Sequence, residues 1–242
     1  MKTKHPITAY FVTFLLLGLV LLGSLYVDRA MKESAFLAAG RNVADAPVVV
    51  IDAGHGGDDP GKVGVNQALE KDINLSIAKK VQRLLEQNGI VVFLTREEDK
   101  DLADEGAKNR KAQDMKARVA FLTEKQPLLG ISIHQNSYPS ADCKGAQVFY
   151  YSSSKEGEAL AAILQRQMAE ELADGNKRQA KANGDYYLLK HSPCTFAIVE
   201  CGFLSNPQEA ALLITEEYQE KVAFAIHLGI LEYINTLQSA EQ

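Results

Sequence analysis

The sequence predicts a single α/β domain whose mostly parallel, twisted sheet of about six strands carries helices on both faces. Short apolar runs rich in β-branched residues alternate along the chain with longer segments whose apolar residues recur at helical spacing. The strand runs are largely uninterrupted by polar residues, as expected for strands buried on both faces of a parallel sheet. A chain of 242 residues, of which 46% are hydrophobic, is long enough to bury one substantial core.

The start of the chain is predicted to lie outside this domain. No charged side chain occurs between Lys4 and Asp28, and residues 7–27 form a largely apolar run that is long enough to cross a bilayer as a helix. A cleaved secretory signal has a shorter apolar run that ends in a small-residue cleavage site. We therefore expect residues 1–29 to form an uncleaved signal anchor, a membrane-spanning helix that precedes the domain.

The remainder of the chain is predicted to divide into two parts. Residues 30–46 form a polar linker, and residues 47–238 form the globular domain. A basic N-terminus before a first apolar segment is typical of exported proteins, so we expect the domain on the outer side of the membrane, held there by the N-terminal helix. Secretion after cleavage of the signal is the alternative.

Six runs are predicted to form the strands of the sheet. The first run breaks at Asp52 into a glycine-rich turn that carries His55. The third run ends at His134, and the register of the sixth places Glu200 at its carboxyl end. The predicted strands are Val48–Ile51, Ile90–Leu94, Leu128–His134, Gly145–Tyr151, Tyr186–Leu189 and Thr195–Cys201.

Helices are predicted where apolar residues recur at every third or fourth position. The charged stretch Glu97–Lys116 is interpreted as a solvated face whose later part enters a helix, and Asp174–Asn183 is interpreted as a polar surface loop. Asn206 is a predicted N-cap with Pro207 at the first helical position. The other predicted helices are Lys71–Asn88, Lys155–Ala173 and Glu217–Leu237.

Composition and missing motifs argue against several classes of function. The net charge of −5 and the absence of a polybasic block argue against nucleic-acid binding. Three cysteines without a CxxC pair indicate neither a disulfide framework nor a thiolate zinc site. The glycine-rich turn does not fit a phosphate-binding motif, and the chain contains neither G-x-S-x-G nor H-E-x-x-H.

Four residues occupy comparable positions in the predicted fold. His55, His134 and Glu200 end strands or follow them, and Glu70 opens a helix close to the first strand. The carboxyl ends of parallel strands meet at one edge of a sheet, so the four side chains are expected at the same rim. Two histidines and a carboxylate are the ligand set of a catalytic zinc site with an open position. A second carboxylate at Glu200 would move the proton of the attacking water to the leaving nitrogen of an amide.

Each of these residues also has a structural alternative. A single histidine after a strand is more often a hydrogen-bonded loop residue than a ligand. Glu70 alone would be a first-turn carboxylate that interacts with the helix dipole. Glu200 lies among apolar neighbours in AIVECGFL, where a buried carboxylate costs free energy unless it has a partner or a task. The convergence of the four positions favours the catalytic interpretation.

Five motifs, in this order, resemble those of the zinc-dependent N-acetylmuramoyl-L-alanine amidases of bacterial cell-wall metabolism: IDAGHGG, ALEKDINL, TRE, ISIHQNS and VECGFLSNPQEA. The resemblance covers residues 47–237. It implies that His55, Glu70 and His134 bind Zn²⁺ and that Glu200 is the catalytic glutamate. It also implies a peptidoglycan substrate, cut at the amide between the lactyl group of N-acetylmuramic acid and the L-alanine of the stem peptide.

Further segments are similar to one subgroup of this family, the germination-specific (sporulation) amidases of endospore formers. These segments are DLADEG, RKAQDMKARV, GAQVFYY and YQEKVAFAIHLGIL. The similarity implies removal of stem peptides so that muramic δ-lactam can form in the spore cortex. Since no wall-binding repeat is recognisable, wall targeting is expected to depend on the membrane anchor or on a protein partner.

Two more residues are candidates for substrate binding. Asn136 lies two residues after His134 and could hydrogen-bond the substrate, with a role in a turn as the alternative. Arg96 ends the second strand and could pair with a substrate carboxylate. Pairing of Arg96 with Asp52 or another acid at the rim is the alternative, and the sequence slightly favours it.

Two other functions remain open at the level of sequence. A catalytically silent wall-binding scaffold would be expected to lack at least one of the four site residues, and none is missing. A zinc peptidase that cuts within the stem peptide would use the same metal site, so the residues do not separate it from an amidase.

Overall fold

The structure is a computed structural model that describes residues 46–240 together with Tyr10, Phe14 and Gly18. The chain divides into two units, residues 1–46 and residues 47–242, and the fold described below is that of the second. The predicted signal anchor and linker otherwise lie outside the described residues. Within the part that is described, no helix has both the length and the apolar character that a membrane span requires.

One six-stranded sheet forms the centre of the domain, in the order β2-β1-β3-β6-β4-β5. Its strands are β1 Val48–Ala53, β2 Val91–Leu94, β3 Leu129–Asn136, β4 Gln147–Tyr151, β5 Lys181–Asn183 and β6 Thr195–Phe203. The neighbouring pairs β2–β1, β1–β3 and β3–β6 are parallel. At the other end of the sheet, β4 runs antiparallel to β6 and pairs in parallel with β5. The predicted mostly parallel sheet of six strands is confirmed.

Helices cover both faces of this sheet, as predicted. The described helices of the domain are α1 Glu70–Gln87, α2 Arg110–Lys125, α3 Lys155–Leu172, α4 Tyr187–His191, α5 Pro207–Leu213 and α6 Glu216–Ala240. Alternate residues of β1 point to opposite faces of the sheet, and each face is covered by its own layer of helices. Val49 and Ile51 pack into the larger core cluster with residues of α1, α3 and α6. Val50 points the other way, into a smaller cluster with Leu122 of α2 and Leu188 of α4.

The prediction of a strand at residues 186–189 is wrong, because Tyr186 is the N-cap of α4 and the following three residues are its first turn. Asn183 turns the chain beforehand, since its side-chain oxygen accepts hydrogen bonds from the backbone N–H groups of Asp185 and Tyr186. The edge strand of the sheet is instead β5, which lies inside the stretch predicted as a surface loop. A short apolar run such as YYLL has no period that distinguishes a helix from a strand.

One expectation about charged side chains also requires correction. The charged segment before and within α2 is not only a solvated face, because Asp114 is buried and pairs with Arg118. Asn206 is the predicted N-cap of α5, accepting from the backbone N–H groups of Gln208 and Glu209. The Glu209 side chain, however, turns away from the cap and accepts from the backbone N–H of Phe203 at 2.7 Å.

The pairing of β3 with β6 leaves no room for a side chain at Gly130. A Cβ there would lie 2.6 Å from the ring of Phe196, its partner across the two strands. We expect Gly130→Ala to lower the free energy of unfolding by about 1–3 kcal/mol, because the buried ring must move. Chemical denaturation checks this, with Gly184→Ala as the matched control: its nearest neighbour is 3.5 Å away. Equal stability of the two variants would contradict the expectation.

Candidate metal centre

The loop after β1 needs glycine at two positions for two different reasons. His55 adopts a φ of 62°, and the chain reverses at Gly56, whose φ of 135° is unfavourable for residues with a side chain. Gly54 has a different role, because a Cβ there would lie 2.3 Å from Cε1 of His134. The loop therefore brings the imidazole of His55 to the rim of the sheet and lets the ring of His134 pass close to the backbone.

Three of the predicted site residues meet at this rim. Glu70 Oε1 lies 2.9 Å from His134 Nδ1 and 3.2 Å from His55 Nε2. The two imidazole rings are 5.0 Å apart and arranged edge to face. One nitrogen or oxygen atom from each residue lies within 4.8 Å of the others, a grouping that could hold a metal ion. We call His55, Glu70 and His134 the metal cluster.

Glu70 is the side chain that ties the metal cluster together. It is the first residue of α1, and only 2% of it is exposed. Its second carboxylate oxygen accepts from the backbone N–H of Lys62 at 2.7 Å, while Oε1 also accepts from the backbone N–H of Gln135. Burial alone would raise the pKa of Glu70, but the contacts with His134 and His55 outweigh it and lower the pKa. The carboxylate is therefore held in its charged form.

Asp59 orients His55 from the other side of the ring. Its Oδ2 lies 2.9 Å from His55 Nδ1, and its Oδ1 accepts from the backbone N–H of Gly61. A carboxylate on one ring nitrogen fixes the imidazole and directs the other nitrogen toward the metal cluster. The sequence reasoning missed this residue. Its only signal was a carboxylate four positions after His55 in the same glycine-rich loop.

Glu200 lies beside the metal cluster, at the rim where the sequence places it. It pairs with His134 across β3 and β6 and with Gln147 across β6 and β4. Its Oε2 is buried and has no hydrogen-bond partner among the described residues. Burial raises the pKa of Glu200 to about 7. A carboxyl group with this environment can both accept and release a proton near neutral pH.

A cavity of about 200 Å³ opens beside these groups. We call it the site cavity. His55, His134 and Glu200 line its floor, and residues of α2 and α4 form its walls. The structure therefore places the two candidate histidine ligands and Glu200 against one accessible space, with Glu70 behind the histidines.

The loop that carries His55 is held from below by Arg118 of α2. This buried guanidinium bonds the Asp52 carboxylate and donates to the backbone oxygens of Ala53 and His55 at 2.9 Å and 2.8 Å. Asp52 is also buried, and its oxygens accept from the hydroxyl groups of Thr95 and Ser132. Burial alone would raise the pKa of Asp52, but Arg118 and these hydroxyl groups lower it.

Arg96 and Asn136, the two candidates for substrate binding, lie outside the lining of the site cavity. The Arg96 guanidinium is buried and donates to four backbone oxygens, including those of Ala53 and Gly54. It thus has the structural role that the sequence left open, with carbonyl groups rather than Asp52 as partners. Asn136 ends β3, and its side-chain oxygen accepts from the backbone N–H of Ser137. Contact of Asn136 with substrate stays a prediction.

Comparison with known proteins assigns this arrangement to a family. The profile of the N-acetylmuramoyl-L-alanine amidases matches residues 49–232, which span the sheet and the whole rim. The chain belongs to this family. The amidase is 43% identical over 189 residues to the germination-specific N-acetylmuramoyl-L-alanine amidase of Bacillus subtilis, covering 77% of this chain and 79% of that protein. The resemblance inferred from the motifs is confirmed, and the protein is a peptidoglycan amidase.

Solved structures show the same fold. The amidase matches the CwlD amidase from Clostridioides difficile, whose structure is a complex with the GerS lipoprotein, with a TM-score of 0.76 and 36% identity. That match covers 78% of this chain and 99% of the other. The catalytic domain of the amidase CwlV from Bacillus (Paenibacillus) polymyxa gives a TM-score of 0.69 at 31% identity, covering 78% of this chain and 98% of the other.

Loss of the buried ion pair should destabilise the amidase strongly. Arg118→Met leaves the buried Asp52 carboxylate without its charged partner and removes a donor from the backbone oxygens of Ala53 and His55, so we expect a loss of about 3–5 kcal/mol in the free energy of unfolding. Arg166→Met is the matched control, because Arg166 pairs with Glu232 at the surface, where such pairs contribute about 0–1 kcal/mol. Urea denaturation measures both. A loss at Arg118 no larger than that at Arg166 would show that the buried pair is dispensable.

Proposed function

We propose that the amidase cleaves the amide between N-acetylmuramic acid and L-alanine with a zinc ion held by the metal cluster and with Glu200 as the catalytic base and acid. The observation that carries this proposal is the arrangement at the rim. Two imidazoles and a carboxylate converge on one point, and beside them lies Glu200 Oε2, which no group of residues 46–240 hydrogen-bonds. The expected outcome is hydrolysis of an amide, the reaction named for the family.

The donor set fits zinc. Two histidine nitrogens and one carboxylate oxygen are the protein ligands of several catalytic zinc sites, which keep a further position for water or substrate. The Asp59 contact to His55 Nδ1 is the outer carboxylate that such histidine ligands commonly have. Glu70 also satisfies the requirement that a ligand be deprotonated, because its contacts lower the pKa of the carboxyl group.

In the proposed reaction, the zinc ion and the residues of the protein have different roles. When bound, zinc supplies a Lewis acid that polarises the scissile carbonyl and activates water. Glu200 Oε2, which has no hydrogen-bond partner in the described part of the chain, accepts the proton of the attacking water. The same oxygen then donates that proton to the leaving nitrogen of L-alanine. His55 and Glu70 are held in place by Asp59 and by backbone N–H groups, so little reorganisation is needed during the reaction.

The biological setting of the proposal follows from similarity. The relative from Bacillus subtilis is named a germination-specific amidase, which supports a role in removing stem peptides during maturation of the spore cortex. The CwlD amidase was solved in complex with a lipoprotein, which supports a protein partner for activation or targeting. We also propose that residues 1–29 anchor the exported domain to the membrane, with secretion after signal cleavage as the alternative.

Replacement of Glu200 tests the proposed chemistry. Glutamine preserves the shape of the side chain but cannot take a proton, so we expect Glu200→Gln to lose about 10²- to 10⁴-fold in activity on purified peptidoglycan while its zinc content stays at one ion per chain. Metal analysis of the full chain measures the zinc. Mass spectrometry of the released peptides identifies the cleaved bond.

The same measurement separates the rival functions. Peptides that begin with a free L-alanine amine show amidase cleavage, whereas peptides that lack L-alanine show a peptidase that cuts within the stem. A parent protein that binds no zinc and releases nothing, also in the presence of candidate partners, would favour the wall-binding scaffold.

Asp59 should control metal affinity without binding the metal. Asp59→Ala removes the carboxylate that orients His55, so we expect zinc affinity to fall about 10- to 100-fold. Competition with a chromogenic chelator measures the affinity. The adjacent Asp58 is the control, because its side chain is 90% exposed and Asp58→Ala removes the same charge. An equal loss in both variants would show that net charge, rather than orientation of His55, sets the affinity.

A further inference from the structure

The walls of the site cavity contain groups that the proposed chemistry does not use. From α2 they include Lys111 and Met115, and from the start of α4 they include Tyr187 and Leu188, with Tyr186 immediately before that helix. Tyr186 and Tyr187 are each 38% exposed. The site cavity is therefore a narrow space with apolar and aromatic walls and one ammonium group.

Lys111 is the charged wall residue that is left available for a ligand. Arg118 is committed to Asp52 and Asp114, and Asp59 is committed to His55. Lys111 Nζ lies 3.8 Å from Asp59 Oδ2, which is beyond hydrogen-bond distance, and its side chain is 76% exposed. The structure records no hydrogen bond from this ammonium group to any described residue. An anionic group of a substrate in the site cavity would meet this cation first.

The chemistry of peptidoglycan says which part of the substrate carries such an anion. The lactyl carboxyl group of the sugar is consumed in the scissile amide, so the repeating glycan next to the bond has no ionised group. The stem peptide does carry carboxylates, and the residue after L-alanine carries one unless it is amidated. Two extended residues span roughly 7 Å. That reach suits Lys111, because Asp59 contacts both Lys111 and His55 of the metal cluster.

We propose that Lys111 is a specificity residue that binds the carboxylate of the residue following L-alanine, with the first two residues of the stem peptide lying in the site cavity between α2 and α4. The apolar and aromatic walls suit the methyl group of L-alanine. The amidase then prefers stem peptides with a free carboxylate at the second residue over amidated ones. This inference rests on the proposed function, because it assumes that the amide is cleaved at the metal cluster.

The experiment compares two soluble muropeptides that differ only in whether the residue after L-alanine carries a free α-carboxylate or its carboxamide. For the full-length parent, we expect kcat/KM to be about five- to tenfold higher for the carboxylate, mainly through KM. Lys111→Met should bring the ratio close to one, and Lys111→Arg should preserve it. Lys116→Met is the matched control, because Lys116 is an exposed lysine on the same helix that does not line the site cavity.

The outcomes separate this inference from the proposed function. A parent that cleaves both muropeptides equally overturns the specificity role and leaves the amidase chemistry intact. A loss of equal size on both muropeptides in Lys111→Met also overturns it, and would assign Lys111 to support of Asp59 alone. If the zinc-loaded parent cleaves neither muropeptide nor whole peptidoglycan, the proposed function itself fails. A preference that disappears at high salt in the parent and is absent in Lys111→Met supports the inference.

Discussion

The buried ion pair between Asp52 and Arg118 is the interaction on which the metal centre depends. His55 lies in a loop after β1 that has left the ladder of the sheet, and its backbone carbonyl groups need other partners. Arg118 supplies them for Ala53 and His55, while Arg96 serves Ala53 and Gly54. Two guanidinium groups buried in this way are costly unless they are fully bonded. Here, Arg118 is paired with Asp52 and Asp114, and each guanidinium makes four hydrogen bonds, two of them to backbone oxygens between Ala53 and His55.

The parallel order of the sheet is the second feature that positions the site residues. Because β1, β3 and β6 are adjacent and parallel, their carboxyl ends bring His55, His134 and Glu200 to the same rim. Glu70 then links these strands to α1 through contacts with both histidines and with the backbone of β3. The metal cluster is thus attached to two regular elements, α1 and β3, and to one loop that Arg118 and Arg96 hold in place, which is how a site of this kind keeps its geometry.

Two glutamates of the site have opposite environments, and this difference assigns their roles. Glu70 is surrounded by donors that stabilise its charge, so the pKa of its carboxyl group is lowered. Glu200 is only half-buried as a residue, but its Oε2 is buried without a donor among the described residues, and burial raises the pKa of its carboxyl group to about 7. A carboxylate that stays ionised suits a metal ligand, and one that exchanges its proton near neutral pH suits an acid and base.

The sequence by itself determined the sheet class, most elements and the convergence of His55, Glu70, His134 and Glu200, because periodicity reveals parallel strands and their ends share one rim. Only the tertiary structure decided what surrounds these four residues. The pairing of Asp52 with Arg118 joins positions 66 residues apart, and the approach of Lys111 to the same loop depends on how α2 packs. A local pattern contains no information on such contacts. For the same reason the run YYLL predicts a strand, whereas in the structure it supplies the N-cap and first turn of α4 beside the site cavity.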